Sequence, residues 1–178
     1  MNGFGVCAMA KIEMQGMEAW LSELRKLGEA TAPVCEAAVY AGAAVVADAI
    51  KQSTLGLDRV TDAEALASYQ AGTPAKISVT QKIGLVKSLG ITKIRNKYGI
   101  ISAKVGFDGY NDVKSKRWPN GQPNQMVARS CESGSSAMKK QPFVRPEVKR
   151  VEGAAVIEME RAADKKLKEI LGGSANGN

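Results

Sequence analysis

Apolar positions along the chain change period several times, and each change marks an element. Residues 8 to 14, Ala-Met-Ala-Lys-Ile-Glu-Met, read as a short strand, with Gln15 and Gly16 as the turn out of it. Met17, Trp20, Leu21, Leu24 and Leu27 then recur at three- and four-residue spacing, and Gly28 is a fitting helix stop. A second helix is expected from Thr31 as N-cap, with Pro33 in the first turn where its missing N–H costs little. Val34, Ala38, Ala41, Val45 and Ala49 form one face of it, with Gly42 alongside. Such small residues let another backbone approach closely, whether that of the chain's own sheet or first helix or that of another subunit.

Residues 54–60 read as a loop, and Thr61-Asp-Ala-Glu64 as a capping box opening a helix to about Gln70. Thr80 is expected to cap a third short helix carrying Ile83, Val86 and Leu89 and closed by Gly90. Ile91, Ile94, Ile100, Ile101, Val105 and Phe107 flank the turn-like Asn96-Lys-Tyr-Gly99, so residues 91–96 and 100–107 predict an antiparallel hairpin. Residues 108–124 are rich in glycine, proline and basic side chains and read as a long loop, a candidate assembly element outside the fold. Met126 to Glu132 predict one or two helical turns, Pro142 to Pro146 an extended segment, and Glu147 to about Leu171 a long amphipathic helix. Its buried stripe is expected from Val148, Val151, Ala155, Ile157 or Met159, Ala162, Leu167 and Ile170. Together these predict a single α+β domain over residues 1–171, in which a small antiparallel sheet with a β-hairpin packs against two N-terminal helices and a long C-terminal helix. Residues 172–178 have nothing to bury and are expected to be a disordered tail.

Charge adds a second pattern. Residues 1–73 hold 5 basic against 9 acidic side chains, residues 74–150 hold 16 against 4, and residues 151–178 hold 4 against 5. The middle block therefore predicts a positive face suited to a polyanion, most simply nucleic acid. Lys93, Arg95, Lys97 and Lys104 alternate with the apolar hairpin positions and are candidates to face DNA; the same residues would equally guard an edge strand against mispairing. In the loop, Lys114, Lys116 and Arg117 stand beside Trp118, which either anchors a partner or folds back onto the core. Phe143, held between two prolines, is expected against the hairpin sheet and is also a candidate assembly contact.

Composition narrows the chemistry. The chain has no histidine, which removes Ser-His and Cys-His triads and histidine-bearing zinc sites. Cys7, Cys35 and Cys131 are an odd number at wide spacing and read as free thiols in a reducing compartment. Ser136-Ala-Met-Lys139 matches an S-x-x-K pattern, but only over four residues and with no companion motif. The four acidic residues of the middle block are too scattered for a metal site, so no enzyme, metal or cofactor is expected. The longest small-apolar run, Ala37 to Ala47, is about half of the ~20 residues that span a bilayer, so no membrane association is expected.

One stretch is specific enough to suggest a family. Residues 123–146, Pro-Asn-Gln-Met-Val-Ala-Arg-Ser-Cys-Glu-Ser-Gly-Ser-Ser-Ala-Met-Lys-Lys-Gln-Pro-Phe-Val-Arg-Pro, resemble the "A-x-x-x-E-x-G-T-S-x-M-P-x-Q-P-F-x-R-P" signature of a tail-component, or morphogenesis, family of long-tailed double-stranded DNA bacteriophages. Ala128, Glu132, Gly134, Ser136, Met138, Gln141, Pro142, Phe143, Arg145 and Pro146 occupy the signature positions. Ser133 stands where an aromatic is common, Ser135 replaces threonine, and Lys139 replaces proline. The resemblance implies a structural virion protein of the neck or tail end, of tail-completion or tail-terminator type. It further implies a homo-oligomeric, usually sixfold, ring that joins other neck and tail-tube proteins, assembles in the host cytoplasm and passes double-stranded DNA through transient, sequence-indifferent contacts. The competing class is a small cytoplasmic protein that binds nucleic acid without sequence preference.

Overall fold

A computed structural model describes residues 17–172 of the chain. In chain order it contains α1 (Met17–Gly56), β1 (Arg59–Val60), α2 (Asp62–Gln70), β2 (Ile77–Ser78), α3 (Val79–Ser88), β3 (Leu89–Ile91), β4 (Arg95–Lys97), β5 (Ile100–Ser102), β6 (Val105–Phe107), α4 (Asn124–Ser133) and α5 (Arg145–Gly172). The class is α+β, as the sequence predicts. The expected strand over 8–14 and most of the expected tail over 172–178 lie outside the described residues; Gly172 itself closes α5.

The two expected N-terminal helices are one. α1 runs 40 residues straight through Pro33, a length of about 60 Å. Ala30, in the middle of the expected break, is 3% exposed, so tertiary packing holds the helix together where local stop signals would end it. α5 runs antiparallel to α1, and the two pack tightly at Gly42, where a Cβ would lie 2.6 Å from Met159 Cγ and 3.5 Å from the Ala155 carbonyl oxygen. Met159, not Ile157, thus belongs to the buried stripe of α5; Ile157 is 56% exposed. Val151 and Ala155 are buried, whereas Val148 is largely open. From Gly28 to Gly56, α1 is long and apolar enough to cross a membrane by length and composition, an 18-residue stretch of it having a mean hydropathy of 1.5. That span exceeds the 37–47 run because the helix continues uninterrupted on both sides of it.

The hairpin is a ladder with a dislocation. β3 pairs β6 antiparallel with Ile91 opposite Val105, and β4 pairs β5 with Arg95 opposite Ser102. Because the Thr92 N–H donates to the Lys104 carbonyl, Lys93 and Ile94 both stand opposite Ala103, a β-bulge. The extra residue shifts the alternation by one, turning Ile94 inward and leaving Lys93 exposed. The tip is a two-residue connection, Tyr98-Gly99, with φ of 55° and 78°, the backbone of a type I′ turn that glycine adopts readily and tyrosine does not. Elsewhere β1 pairs β2 in parallel, with Arg59 opposite Ile77 and Val60 opposite Ser78.

Two helix starts show local competition. α2 opens on the expected capping box, the Thr61 hydroxyl accepting from the Glu64 N–H and the Glu64 carboxylate from the Thr61 N–H. α3 is capped by Ser78, not Thr80, through a second box with Gln81. Thr80 is instead drawn to Asp62, its hydroxyl donating at 2.6 Å. The core gathers Ile50, Leu57, Ile77, Leu85, Val127, Cys131, Met138 and Phe143. Ile83, expected in the α3 core stripe, is 46% exposed, and Lys82 turns inward in its place.

Candidate interaction surfaces

The stretch that resembles the phage signature folds into a clasp between α4 and α5. Ala128 and Cys131 are buried on α4, and Glu132 at its end is 8% exposed. The Glu132 carboxylate accepts from three consecutive backbone N–H groups, those of Phe143 at 2.7 Å, Val144 at 2.9 Å and Arg145 at 3.1 Å. Arg145 opens α5 and Phe143 and Val144 lead into it, so one carboxylate fixes the entry to the helix and meets the positive end of its dipole. Burial raises the proton affinity of Glu132, but the three N–H groups and the nearby Arg145 guanidinium outweigh it and hold the carboxyl below the usual value of 4.5. Next to it, burial and then the Glu132 charge push the Cys131 thiol up to about 11.

Gly134 closes α4 at a φ of 79°, after which residues 135–138 form a tight turn with the Ser135 and Met138 backbones bonded both ways. Ser135, in the signature's threonine place, accepts through its hydroxyl from the N–H groups of Ala137 and Met138. Lys139, in the proline place, donates its N–H to the Ala75 carbonyl at 2.7 Å, a bond proline could not make. Gln141 ties the segment down twice, its N–H to the Cys131 carbonyl and its Nε2 to that of Asp58. Ser136 on this turn and Lys139 just after it are both exposed.

Phe143 is 1% exposed, its ring centroid 5.8 Å from that of Phe107 on β6. The expected packing against the hairpin sheet is therefore found, and the second expectation is corrected: Phe143 is a core residue, not an available assembly contact. Lys93, Arg95, Lys97 and Lys104 are all exposed. Register places Arg95, Lys97 and Lys104 on the face turned away from Ile94 and Ile101, with Lys93 in the bulge beside them. At the tip, Lys97 Nζ lies 5.3 Å from the centre of the Tyr98 ring, and Tyr98 is 91% exposed.

The loop 108–124 is not outside the fold. Its base is stitched by the Asn111 N–H to the Gln122 carbonyl and the Asn124 N–H to the Gly109 carbonyl, with Tyr110 bridged to Pro123. Asn111 is buried and packs on Gly84 of α3, where a Cβ would lie 2.5 Å from the Asn111 Cβ. Gly121 adopts a φ of 101°, and a side chain there would collide with the Asn111 carbonyl oxygen. Beyond this base, Ser115 and Trp118 exchange backbone bonds at 3.1 and 3.0 Å, presenting Lys116 and Arg117 at a second small turn. Arg117 stacks 5.4 Å from the Trp118 ring, which is half-buried, and Lys114 is exposed.

Lys82 is a buried cation that sequence reading does not single out. Its Nζ donates to the carbonyls of Leu55 at 2.6 Å and Leu57 at 2.7 Å. α1 has no basic residue in its own last turn, so α3 supplies the cation that closes it. Burial, then repulsion from Arg59, lowers the lysine's proton affinity against the opposing pull of Asp58. A lysine inside an apolar stripe is the one signal that could have marked it. Two adjoining hollows, both lined by Val144 and Arg145, make up a groove: one of about 680 Å³ between the hairpin, α4 and the start of α5, the other between α1 and α5. Among the described residues no cluster of His, Cys, Asp and Glu could hold a metal ion. No family model, curated protein or solved structure matches the chain.

Proposed function

We propose that the chain is a structural subunit of the neck or tail end of a long-tailed double-stranded DNA bacteriophage, of tail-completion or tail-terminator type, and that copies of it form a ring around passing DNA. The resemblance of residues 123–146 to the tail-component signature carries the reading. In support, the stretch folds as one unit: Glu132, Met138, Gln141 and Phe143 each hold a specified place in the clasp. Signature residues that act through packing and backbone bonds suit a protein selected for shape and assembly.

The basic hairpin face is the surface for DNA. Lysine and arginine on a regular strand contact phosphates without reading bases, as a sliding duplex requires. Membrane association does not enter the reading, although α1 has the length for it. α5 lies along α1 and carries 13 charged side chains in 28 residues, which hydrocarbon would not accept.

A phage lacking this chain should produce heads and tails that fail to join, or tails of irregular length, visible by electron microscopy and restored by the gene in trans. Normal particles from the null mutant would overturn the proposal. In the same assay, Arg95→Glu with Lys97→Glu and Lys104→Glu should reduce joining or DNA delivery. For the purified protein, that variant should lower the slope of log affinity for a random duplex against log salt by about 2 to 3. Unchanged delivery with a lost salt slope would favour a free cytoplasmic nucleic-acid-binding protein instead.

A further inference from the structure

α2 is a nine-residue helix in which no residue is buried, and a helix this short does not persist in water by itself. It is held by its capping box and by Asp62, which accepts from the Thr80 N–H and hydroxyl. Leu66 and Tyr69, one turn apart on it, are 57% and 70% exposed. Residues 61–75 carry Asp62 and Glu64 and no basic side chain. α2 is thus a tethered, acidic element with an apolar pair exposed on its surface.

The groove is its complement. Its floor is apolar, formed by Val46, Ile50, Phe107, Val144 and Val148. Lys104, Arg129, Arg145 and Lys149 line it against Asp108, Glu132 and Glu152, leaving the lining net positive. We infer that α2 of one copy of this chain seats Leu66 and Tyr69 in the groove of the next copy, its acidic N-terminal turn meeting the cationic rim. α2 is attached to β2 and α3, whereas the groove lies between the hairpin, α4 and α5. The two surfaces are unlike, so the contact is head-to-tail and repeats from copy to copy until it closes. This deepens the ring reading and rests on it, by naming the surfaces through which the ring would form.

The test uses the full chain with Cys7 and Cys35 changed to serine; Cys131 is fully buried and is left in place. Tyr69→Cys is introduced in one preparation and Val148→Cys in another; each is kept reduced, and then either preparation alone or the two mixed together is oxidised by dissolved oxygen with a copper catalyst. Mixing should raise disulfide-linked dimer by about tenfold or more over either preparation alone, because docking supplies a high effective concentration. Leu66→Asp with Tyr69→Ser should leave the thermal midpoint unchanged and weaken self-association by about 30-fold or more, the loss expected of an interface anchor. Mixed dimer no more abundant than the separate controls, or undiminished association of the double variant, would overturn the inference. The phage null mutant reports separately: a joining defect with failed disulfide capture would keep the neck reading and discard this interface. Capture with normal null particles would do the reverse.

Discussion

Replacing Glu132 by glutamine keeps the shape of the side chain and removes the charge that three backbone N–H groups share. Losing a charge-assisted set of this kind should cost about 2 kcal/mol at neutral pH, read from urea unfolding. The same residue gives a pH signature. Its carboxyl titrates lower folded than unfolded, so its contribution is complete above the unfolded value and drains away as pH falls through the folded one. Stability of the native chain should therefore decline as pH falls below the usual carboxylate value of 4.5, and Glu132→Gln should show a shallower decline, the two curves drawing together once the folded carboxyl is protonated. Phe143→Ala, which empties a site that is 1% exposed, should cost about 3 to 5 kcal/mol. A near-neutral result in denaturant unfolding would show that the clasp tolerates the void.

At the scale of elements, what the sequence discloses depends on how far apart the deciding residues lie. The Thr61–Glu64 box decides within four residues and is legible, as are the α4 turn and the body of α5. The Ser78 cap is harder, because Ser78 and Thr80 both qualify locally and the choice falls to Asp62, eighteen residues before Thr80. Gly28 and Thr31 signal a break that α1 ignores, since a stop signal is a small preference and packing across Ala30 overrides it. The basic candidates on the hairpin are legible by alternation, but the bulge that separates Lys93 from the others is not. The loop 108–124 misleads most, because Asn111 is polar and yet buried. Its tip and base should behave differently. Replacing residues 113–119 by a short glycine linker should leave the thermal midpoint nearly unchanged, whereas removing residues 110–122, and with them Asn111 and Gly121, should unfold the chain. Calorimetry of the two deletions checks this, and equal midpoints would show that the stitched base contributes nothing.

Over the whole molecule, an acidic first part and a basic middle meet in one folded unit whose longest contact joins the two ends of the chain. α1 is complete at Gly56, but its partner α5 begins only at Arg145, 89 positions later. During synthesis at roughly 5 to 20 residues per second, the apolar side of α1 waits about 5 to 20 seconds for anything to cover it. Every nascent chain therefore passes through a stage in which a long, sticky helix lies bare, dependent on ribosome-associated chaperones or on its own solubility. A chain ending at residue 144 should remain in that stage and collect in the pellet or be degraded, while adding residues 145–178 as a separate peptide should recover soluble material. Placing the covering helix last makes solubility a report of completed translation: a truncated chain betrays itself by its bare helix and is removed before it can accumulate beside the finished one.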